Sequence, residues 1–287
     1  MKDDTVLEAL DLHYHYDNAI CALQGLALRI RRGRKLAVAG ANGAGKSTLF
    51  LHLNGILKPE RGEIQLEGRP VDYSRQGLLR WRQAVGLVLQ NPDDQLFAPT
   101  VEQDVSFGPM NLGLDEAEVR LRVEEALCAL GIEELRGRPP HQLSFGQKKR
   151  AAIAGAVAMR PRVLILDEPS AGLDPQGVES LMAALDRLHA AGATLVMATH
   201  DINLVCEWAD DVAILAAGRV ATQGPCEPVL TDREILNEAG LRAPLLFEIG
   251  ARLRAMGILP REGALPRSRD ALLAALPAES LRASFVM

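Results

Sequence analysis

The stretch Gly40-Ala-Asn-Gly-Ala-Gly-Lys-Ser47, followed by Thr48, fits G-x-x-x-x-G-K-[ST], the pattern of a loop that cradles nucleotide phosphates. Residues 35–39, apolar after Lys35, predict a short strand before this loop, and residues 48–53 are good helix formers. The glycines at 43 and 45 let the backbone turn its N–H groups inward, and the following helix points its positive end at the phosphates. A glycine-rich turn without a ligand is the alternative. Because strand, glycines, Lys-Ser and helix all agree, we interpret the stretch as a nucleoside triphosphate site.

Two further apolar runs end in polar residues. Val163-Leu-Ile-Leu-Asp-Glu168 and Ala193-Thr-Leu-Val-Met-Ala-Thr-His200 are each typical of a parallel strand that is buried on both faces. Functional groups at the carboxyl ends of such strands, beside a phosphate loop, belong to one ligand crevice. We therefore expect Asp167, Glu168 and His200 to lie near the loop, where the histidine can hydrogen-bond the γ-phosphate. The alternatives are an Asp-Glu pair that only starts a helix and a histidine that only fills the core.

Hydrolysis of a nucleoside triphosphate requires held phosphates, a placed Mg²⁺ ion and an oriented water molecule. Lys46 is expected to reach the β- and γ-phosphates, and the Ser47 hydroxyl is expected to ligate Mg²⁺. Asp167, at a strand end, suits the metal directly or through a water molecule. Glu168 beside it suits a general base. Gln90, at the end of another apolar run, can touch both the metal and the water.

Composition narrows the class of protein. The chain has 287 residues, enough for one large domain or for one with a small appendage, and 48% of them are hydrophobic. Its formal net charge of -5 argues against a general nucleic-acid binder, and a surface hairpin turn around Gly33 explains the basic run at 29–35. Four scattered cysteines without a C-x-x-C pair imply neither a metal site nor a disulfide. Without a signal peptide or a run near the roughly 18 residues of a membrane span, we expect a soluble chain that reaches any membrane through a partner.

The remaining patterns predict further elements. We expect two strands within 6–31, a half-exposed strand at 62–67, a short helix at 78–84, a buried strand at 85–89 and a loop at 91–109. Helix starts are predicted by the capping-box pairs Asp115 with Glu118 and Thr231 with Glu234, by Pro244, and by Ser268. The helix after Pro244 carries one apolar stripe, formed by Leu246, Ile249, Leu253 and Met256.

Taken together, these motifs resemble the nucleotide-binding subunit of ABC transporters over residues 5–224. In that family's order they are the Walker A loop Gly40–Thr48, the Q-loop residue Gln90, the signature Leu143–Gln147, the Walker B strand Val163–Glu168, the D-loop Ser170–Pro175 and the switch residue His200. The resemblance implies ATP as the nucleotide and Mg²⁺ as the metal. It places the adenine on Tyr16 rather than on Tyr14, although tyrosines in strands often only pack.

The residues that the family resemblance carries over fall into three groups. The implied ATP contacts are Tyr16, Asn42, Gly43, Ala44, Gly45, Lys46, Ser47, Thr48, Gln90, Ser144, Gly146, Gln147 and His200. The implied metal ligands are Ser47, Gln90 and Asp167, and the implied catalytic residues are Glu168, His200, Gln90 and Lys46. One departure is Phe145, where the family usually has glycine. Because Ser144 and Gly146 are retained beside it, we expect activity to persist.

The resemblance implies an α/β fold. We expect a P-loop NTPase (RecA-like) parallel-sheet core with an N-terminal antiparallel β-layer, a helical subdomain at about 93–160 and a small C-terminal helical appendage. The ATPase domain is placed at 1–225 and a helical segment that dimerises at 226–287. In such ATPases the signature lies too far from its own Walker A loop to touch the same nucleotide. Two identical or related subunits therefore meet head to tail, with ATP between Lys46 of one and Ser144 of the other.

Two stretches narrow the resemblance further. Gln90-Asn-Pro-Asp-Asp-Gln-Leu-Phe97 and Leu143-Ser-Phe-Gly-Gln-Lys-Lys-Arg150 are similar to the ATPases of energy-coupling-factor (ECF) importers, closest to the cobalt-type branch. This implies a peripheral ATPase at the cytoplasmic face of the membrane. Its implied partners are an integral membrane coupling protein and a substrate-binding membrane protein, without nucleic acid. The expected cargo is a transition-metal ion, cobalt or nickel, and a vitamin is the alternative.

Other classes of ATPase share these motifs. A chromosome-maintenance or DNA-repair ATPase inserts long coiled-coil arms between Walker A and the signature. This chain has only about a hundred residues there, without heptads. A ribosome-associated translation factor usually carries two such ATPase heads, and this chain carries one. Non-enzymatic ATP sensing is disfavoured because Glu168 and His200 are both present.

Overall fold

The computed structural model describes residues 4–16 and 20–276. Its strands are β1 (Thr5–Tyr16), β2 (Ile20–Arg31), β3 (Lys35–Ala39), β4 (Arg61–Leu66), β5 (Arg69–Pro70), β6 (Val85–Val88), β7 (Val163–Asp167), β8 (Thr194–Thr199), β9 (Asp211–Ala216) and β10 (Arg219–Pro225). Its helices are α1 (Lys46–Leu53), α2 (Arg75–Ala84), α3 (Val101–Asn111), α4 (Glu116–Leu130), α5 (Phe145–Ala158), α6 (Pro175–Ala190), α7 (Ile202–Trp208), α8 (Cys226–Thr231), α9 (Arg233–Glu238), α10 (Leu245–Ala255) and α11 (Arg269–Ala275).

A six-stranded sheet with the order β10-β9-β3-β8-β7-β6 forms the centre of the molecule. All neighbouring pairs from β9 to β6 are parallel, and β10 adds an antiparallel edge. The apolar runs of β7 and β8 are buried along their whole length, as expected for parallel strands covered on both faces. Because β3, β8, β7 and β6 are neighbours, the residues that follow them meet at one edge of the sheet.

A second sheet, with the order β2-β1-β4-β5, is antiparallel and covers one face of α1. Leu49, Phe50 and Leu53 of α1 lie in the apolar cluster between the two sheets. Alternate residues of the central strands face opposite clusters: Val38 of β3 joins this one, whereas Ala39 joins the cluster under the helices. The predicted parallel core and antiparallel β-layer are confirmed.

The helical subdomain consists of α3, α4 and α5, with short 3-10 turns between them. The prediction of a loop over 91–109 is wrong, because α3 occupies its second half. Thr100 caps this helix by accepting a hydrogen bond from Gln103 N. Glu102 and Asp104 lie in its first turn, where acids favour a helix start. The proline content suggested a loop, yet Pro109 lies near the helix end and does not prevent the helix from forming.

Three smaller predictions also need correction. The turn at Gly33 joins β2 to β3, which belong to different sheets, so it is a turn with a positive φ of 65° but not a hairpin. Helix α2 begins at Arg75, three residues before the predicted start, with Ser74 as its cap. Thr231 ends α8 rather than capping α9, and Asp232 is the cap instead.

The helices after residue 225 share the core of the ATPase. Residues from α8, α9 and α10 lie in the same apolar cluster as α3 to α5 and the central sheet; they include Cys226, Val229, Leu230, Leu236 and Phe247. Two contacts also fix this segment to α7, because Leu245 N donates to Asn203 Oδ1 at 3.0 Å and Arg267 Nε donates to Cys206 O at 2.7 Å. Residues 277–287 of the predicted appendage lie outside the described residues.

The stripe predicted on α10 faces outward in part. Ile249 is 36% exposed and Met256 is 65% exposed, whereas Leu246 and Leu253 are half-buried. The face of α10 that is buried against the core carries Phe247 instead. Helix α11 begins after the Ser268 cap, as predicted. Across 4–16 and 20–276, the structure contains no helix long and apolar enough to cross a membrane.

Candidate active site

The candidate catalytic residues follow four neighbouring strands. The phosphate loop follows β3, His200 follows β8, Asp167 and Glu168 end β7, and Gln90 lies just beyond β6. The register joins these ends directly, because Ala39 pairs with Thr199 and Asp167 pairs with Ala198. The parallel sheet thus brings together the residues that the sequence suggested for phosphate, metal and water.

The phosphate loop has the backbone that its glycines allow. Gly43 and Gly45 have φ values of 81° and 104°, in the region that favours glycine. Helix α1 begins at Lys46, whose Nζ donates to Gly40 O at 2.8 Å and to Ala41 O at 3.2 Å. The same Nζ lies 3.7 Å from Glu168 Oε1. The ammonium group therefore lies across the loop opening, where it can meet a phosphate oxygen and the candidate base.

Glu168 lies at the centre of a buried polar cluster. Its side chain is 8% exposed, and His200 Nδ1 lies 3.0 and 3.1 Å from its two carboxylate oxygens. Its backbone has φ +46°, which non-glycine residues rarely adopt, and its N–H donates to Ala198 O at 3.0 Å. Unusual backbone of this kind concentrates at functional sites, and here it turns the carboxylate toward Lys46 and His200.

Asp167 has the properties of a cation ligand. It is 6% exposed, and its Oδ1 is buried without a hydrogen-bond partner among the described residues. Burial raises the pKa of this carboxyl, while a hydrogen bond from Ser47 opposes the shift. A buried carboxylate oxygen without a donor is costly unless a cation meets it. Asp167 and Ser47 therefore fit a divalent ion at this position.

The candidate aromatic residues lie at the edge of the phosphate-loop helix. Tyr16 is 36% exposed, and its hydroxyl lies 3.3 Å from Thr48 Oγ1. Tyr14 is more buried and contacts His52 of α1 edge to face, with ring centroids 4.7 Å apart. The two tyrosines are also edge to face, at 5.1 Å. Tyr16 thus presents a free ring surface, whereas Tyr14 supports it from behind.

The signature residues form the start of α5. Ser144 caps the helix through Gln147 N, and Gln147 Oε1 accepts from Ser144 N at 2.9 Å. Phe145 is 40% exposed and covers Gly172 of the D-loop, where an added Cβ would meet its ring at 2.9 Å. The described residues that line the open cavity at this point, of about 490 Å³, come from 144–150 and 172–181. None of them belongs to the phosphate loop, so the signature faces a separate space.

Two functional contacts were missed by the sequence reasoning. Lys149 is 3% exposed and donates to Glu168 O at 2.7 Å and to Pro169 O at 3.0 Å. Gln95 accepts from Leu89 N at 3.1 Å, so it fixes the strand end that precedes Gln90. Lys149 lies between Lys148 and Arg150, and no pattern in the sequence distinguishes its buried position from that of these half-buried neighbours.

Comparisons with known proteins agree with this geometry. The family model described as ABC transporter matches residues 23–171. The cobalt import ATP-binding protein CbiO of Rhodobacter capsulatus is 55% identical over 94% of this chain and 96% of its own length. The energy-coupling factor transporter ATP-binding protein EcfA of Methanosphaera stadtmanae is 46% identical over 87% of this chain and 90% of its own.

The fold agrees as well. The solved structure of cbiO1 from Clostridium perfringens, described as part of the ABC transporter complex cbiONQ, superimposes with a TM-score of 0.74 at 45% identity, covering 88% of this chain and 98% of that one. The relatives that are 45–55% identical to this chain are thus transporter ATPases. This agrees with the phosphate loop, the Glu168 cluster and the signature cap described above. This chain belongs to the ABC transporter family, as one of its ATP-binding, ATP-hydrolysing subunits.

Proposed function

We propose that this chain is the ATPase subunit that energises an ECF-type importer for a transition-metal ion, cobalt or nickel. The cobalt assignment is supported by the name of the CbiO relative, which is 55% identical across nearly the whole chain. The ECF assignment is supported by the EcfA relative. The observation that carries the ATPase part is the buried Glu168 carboxylate, which lies between Lys46 Nζ and His200 Nδ1.

Each residue of this cluster has a distinct part in hydrolysis. Glu168 takes a proton from the attacking water, a step that contributes about 10²–10⁴-fold to the rates of enzymes that use it. Lys46 moves from Gly40 O and Ala41 O to the phosphate oxygens. His200 contacts the carboxylate through Nδ1, and its Nε2 can donate to the γ-phosphate when the ring carries a proton on both nitrogens. Gln90, exposed at the end of the strand, orients the water and reaches the metal.

The residues present also fit Mg²⁺. Ser47 and Asp167 would hold the ion together with Gln90, and the unpartnered Oδ1 of Asp167 is the observation that supports this placement. When bound, Mg²⁺ neutralises charge that develops on the β- and γ-phosphate oxygens.

The active form is proposed to be a head-to-tail dimer. Its ATP contacts come from Tyr16 and the phosphate loop of one subunit and from Ser144, Gly146 and Gln147 of the other. The separate cavity at the signature supports this arrangement, because the described residues that line it include none from the phosphate loop. Both half-sites occur in this chain, which permits a homodimer as well as a heterodimer with a related ATPase.

The remaining partners are proposed to be membrane proteins. A coupling protein would dock on the surface around 91–109, and a second membrane protein would select the ion, so the ATPase lies at the cytoplasmic face. Two of the acids on this surface have partners within the chain. Asp104 is buried and accepts from Ala98 N at 2.8 Å, and Asp93 pairs with Lys148 at 2.6 Å. Two aromatic rings are exposed on this surface: Phe97 and Phe107 lie edge to face, 4.8 Å between centroids.

The test is to purify the full chain from its own detergent-solubilised membranes, using Glu168→Gln with Mg-ATP to retain the closed state and Lys46→Ala as the matched control. We expect integral membrane proteins to co-purify, with cobalt or nickel found by elemental analysis. A vitamin in their place would favour the vitamin-importing alternative. Recovery of nucleic acid or ribosomes without membrane proteins would instead favour a soluble DNA-repair or translation ATPase.

A further inference from the structure

Lys149 connects the signature helix to the catalytic glutamate within one subunit. It lies in the second turn of α5, which begins at the signature, and its Nζ donates to Glu168 O at 2.7 Å and to Pro169 O at 3.0 Å. Only 3% of the residue is exposed. The lysine therefore bonds two consecutive backbone carbonyls at the point where β7 ends and the D-loop begins.

These two bonds act on an unusual piece of backbone. Glu168 has φ +46°, a conformation that a residue with a side chain keeps only when its surroundings determine it. Glu168 N is bonded to Ala198 O at 3.0 Å on the strand side. Lys149 bonds the carbonyl on the other side. The direction of the carboxylate, toward Lys46 and His200, thus depends on the position of the Lys149 ammonium group.

The aromatic departure in the signature belongs to the same contact. The Phe145 ring lies with its centroid 5.3 Å from Lys149 Nζ, a cation–π distance. The same ring also lies beside Gly172 of the D-loop. A glycine at position 145 would leave both contacts empty. Phe145 and Lys149 therefore form one connected contact from the start of α5 to Glu168.

We infer that Lys149 is a positioning residue that transmits contact between the signature and the partner's ATP to the catalytic base of its own subunit. This inference rests on the proposed head-to-tail dimer. A short rigid helix links Ser144 to Lys149, so a shift of the helix start upon nucleotide contact moves the ammonium group and the Glu168 backbone with it. The two ATP sites are thereby coupled through each chain rather than only across the interface.

A simple structural role is the competing explanation. A buried lysine that satisfies two carbonyls stabilises the D-loop whether or not it transmits anything. The two roles differ in their kinetics, because loss of a purely structural contact lowers stability and ATP binding together. Loss of a transmitting contact lowers the turnover number with ATP binding retained.

The test compares full-length Lys149→Met, Lys149→Arg and the neighbouring control Lys148→Met in ATP binding and turnover. For Lys149→Met we expect turnover to fall roughly 10- to 100-fold, with the Kd for ATP within about twofold and a lower Hill coefficient for ATP. Lys149→Arg keeps a cationic donor and should recover part of the turnover and part of the Hill coefficient. Lys148→Met should match the wild type. Equal losses in turnover and ATP affinity, with no rescue by arginine, would overturn the inference.

A double-mutant cycle with Ser144→Ala separates this inference from the proposed function. If the signature acts through Lys149, the double variant should be no more than about threefold slower than the slower single variant. Multiplying effects would mean independent routes and would overturn the inference while leaving the dimer intact. An unchanged rate in Ser144→Ala would overturn the head-to-tail dimer itself, and the inference with it.

Discussion

His200 Nδ1 lies 3.0 Å from Glu168 Oε1 and 3.1 Å from Oε2, so one imidazole nitrogen contacts both oxygens of a buried carboxylate. Because an ionised carboxylate only accepts hydrogen bonds, Nδ1 is the donor whenever this carboxylate is ionised. The His200 side chain is 59% exposed, whereas the Glu168 side chain is 8% exposed. The switch residue thus reaches from the solvent side of the site to the base.

Replacing Glu168 by glutamine should slow ATP hydrolysis by about 10²–10⁴-fold, the range for a positioned general base. The amide keeps the shape of the side chain, and Lys46 and Asp167 remain, so ATP binding should survive. Stable dimers should then accumulate with Mg-ATP in gel filtration. Turnover near the wild-type rate would show that Glu168 is not the base.

Replacing Tyr16 by alanine should raise the Kd for ATP by roughly 5- to 150-fold, because about 1–3 kcal/mol of base stacking is lost. Hydrolysis at saturating ATP should change less. Tyr16→Phe is the matched control, since it keeps the ring and removes only the contact with Thr48 Oγ1. A larger loss of affinity in Tyr14→Ala, at unchanged stability, would make Tyr14 the stacking residue.

Replacing Phe97 by serine should weaken capture of the proposed membrane partner by tenfold or more, the effect of losing an aromatic anchor of about 1.4 kcal/mol or more. The ring is 66% exposed, so folding should be little changed. Leu121→Ser is the control, because Leu121 of α4 is also exposed, at 45%. Pull-down from solubilised membranes measures the effect.

Asp94→Lys tests the acidic contribution without disturbing the Asp93–Lys148 pair. Wild-type capture by both variants would exclude this surface.

Placing aspartate at Ile249 of α10 and at Met256, which directly follows this helix, should convert an apo dimer into monomers in analytical ultracentrifugation. Both side chains are exposed, at 36% and 65%, so the charges should cost little in the folded monomer. Point changes are preferable to deletion of 226–287, which would remove Cys226 and Leu230 from the core. Leu79→Asp on α2 is the control. A wild-type protein that is already monomeric without ATP would exclude a dimer contact at α10.

The stability of the chain should rise with pH above about 8 because of Lys149. Burial lowers the pKa of this lysine from 10.5 to about 8 in the folded state. Between these values the unfolded chain holds the extra proton, so unfolding becomes less favourable as the pH increases, by up to about 3 kcal/mol. Below pH 8 the lysine is protonated in both states, so its contribution to stability no longer changes with pH. Urea unfolding at pH 7.5 and pH 9.5 should show a steeper rise for wild type than for Lys149→Met. Equal slopes would contradict the buried, shifted lysine.

Much of the nucleotide-binding edge follows from the sequence because its parts are local. The glycines of the phosphate loop, the continuous apolar strands and the polar residues at their ends each specify their own conformation. Once the strands are parallel neighbours, Lys46, Asp167, Glu168 and His200 must meet. Their distances then depend on the sheet register, which the sequence alone does not state.

What the sequence concealed depends on long-range packing. Asp93 and Lys148 are 55 residues apart, and nothing near either residue indicates their 2.6 Å ion pair. The same holds for Lys149 and Glu168, which belong to different elements. Helix α3 was missed for another reason, because its local composition of proline and acids resembles a loop. Tertiary contacts and the Thr100 cap decided in favour of the helix.

The attachment of the C-terminal segment to α7 sets practical limits on altering this chain. Leu245 N bonds Asn203 near the start of that helix, Arg267 bonds Cys206 O and Ala209 O at its end, and Leu265 N bonds Glu227 Oε2. A fusion partner, an epitope or a cleavage site inserted between residues 245 and 267 would therefore strain the helix that directly follows His200. The same insertion after residue 267 would leave every one of these bonds in place.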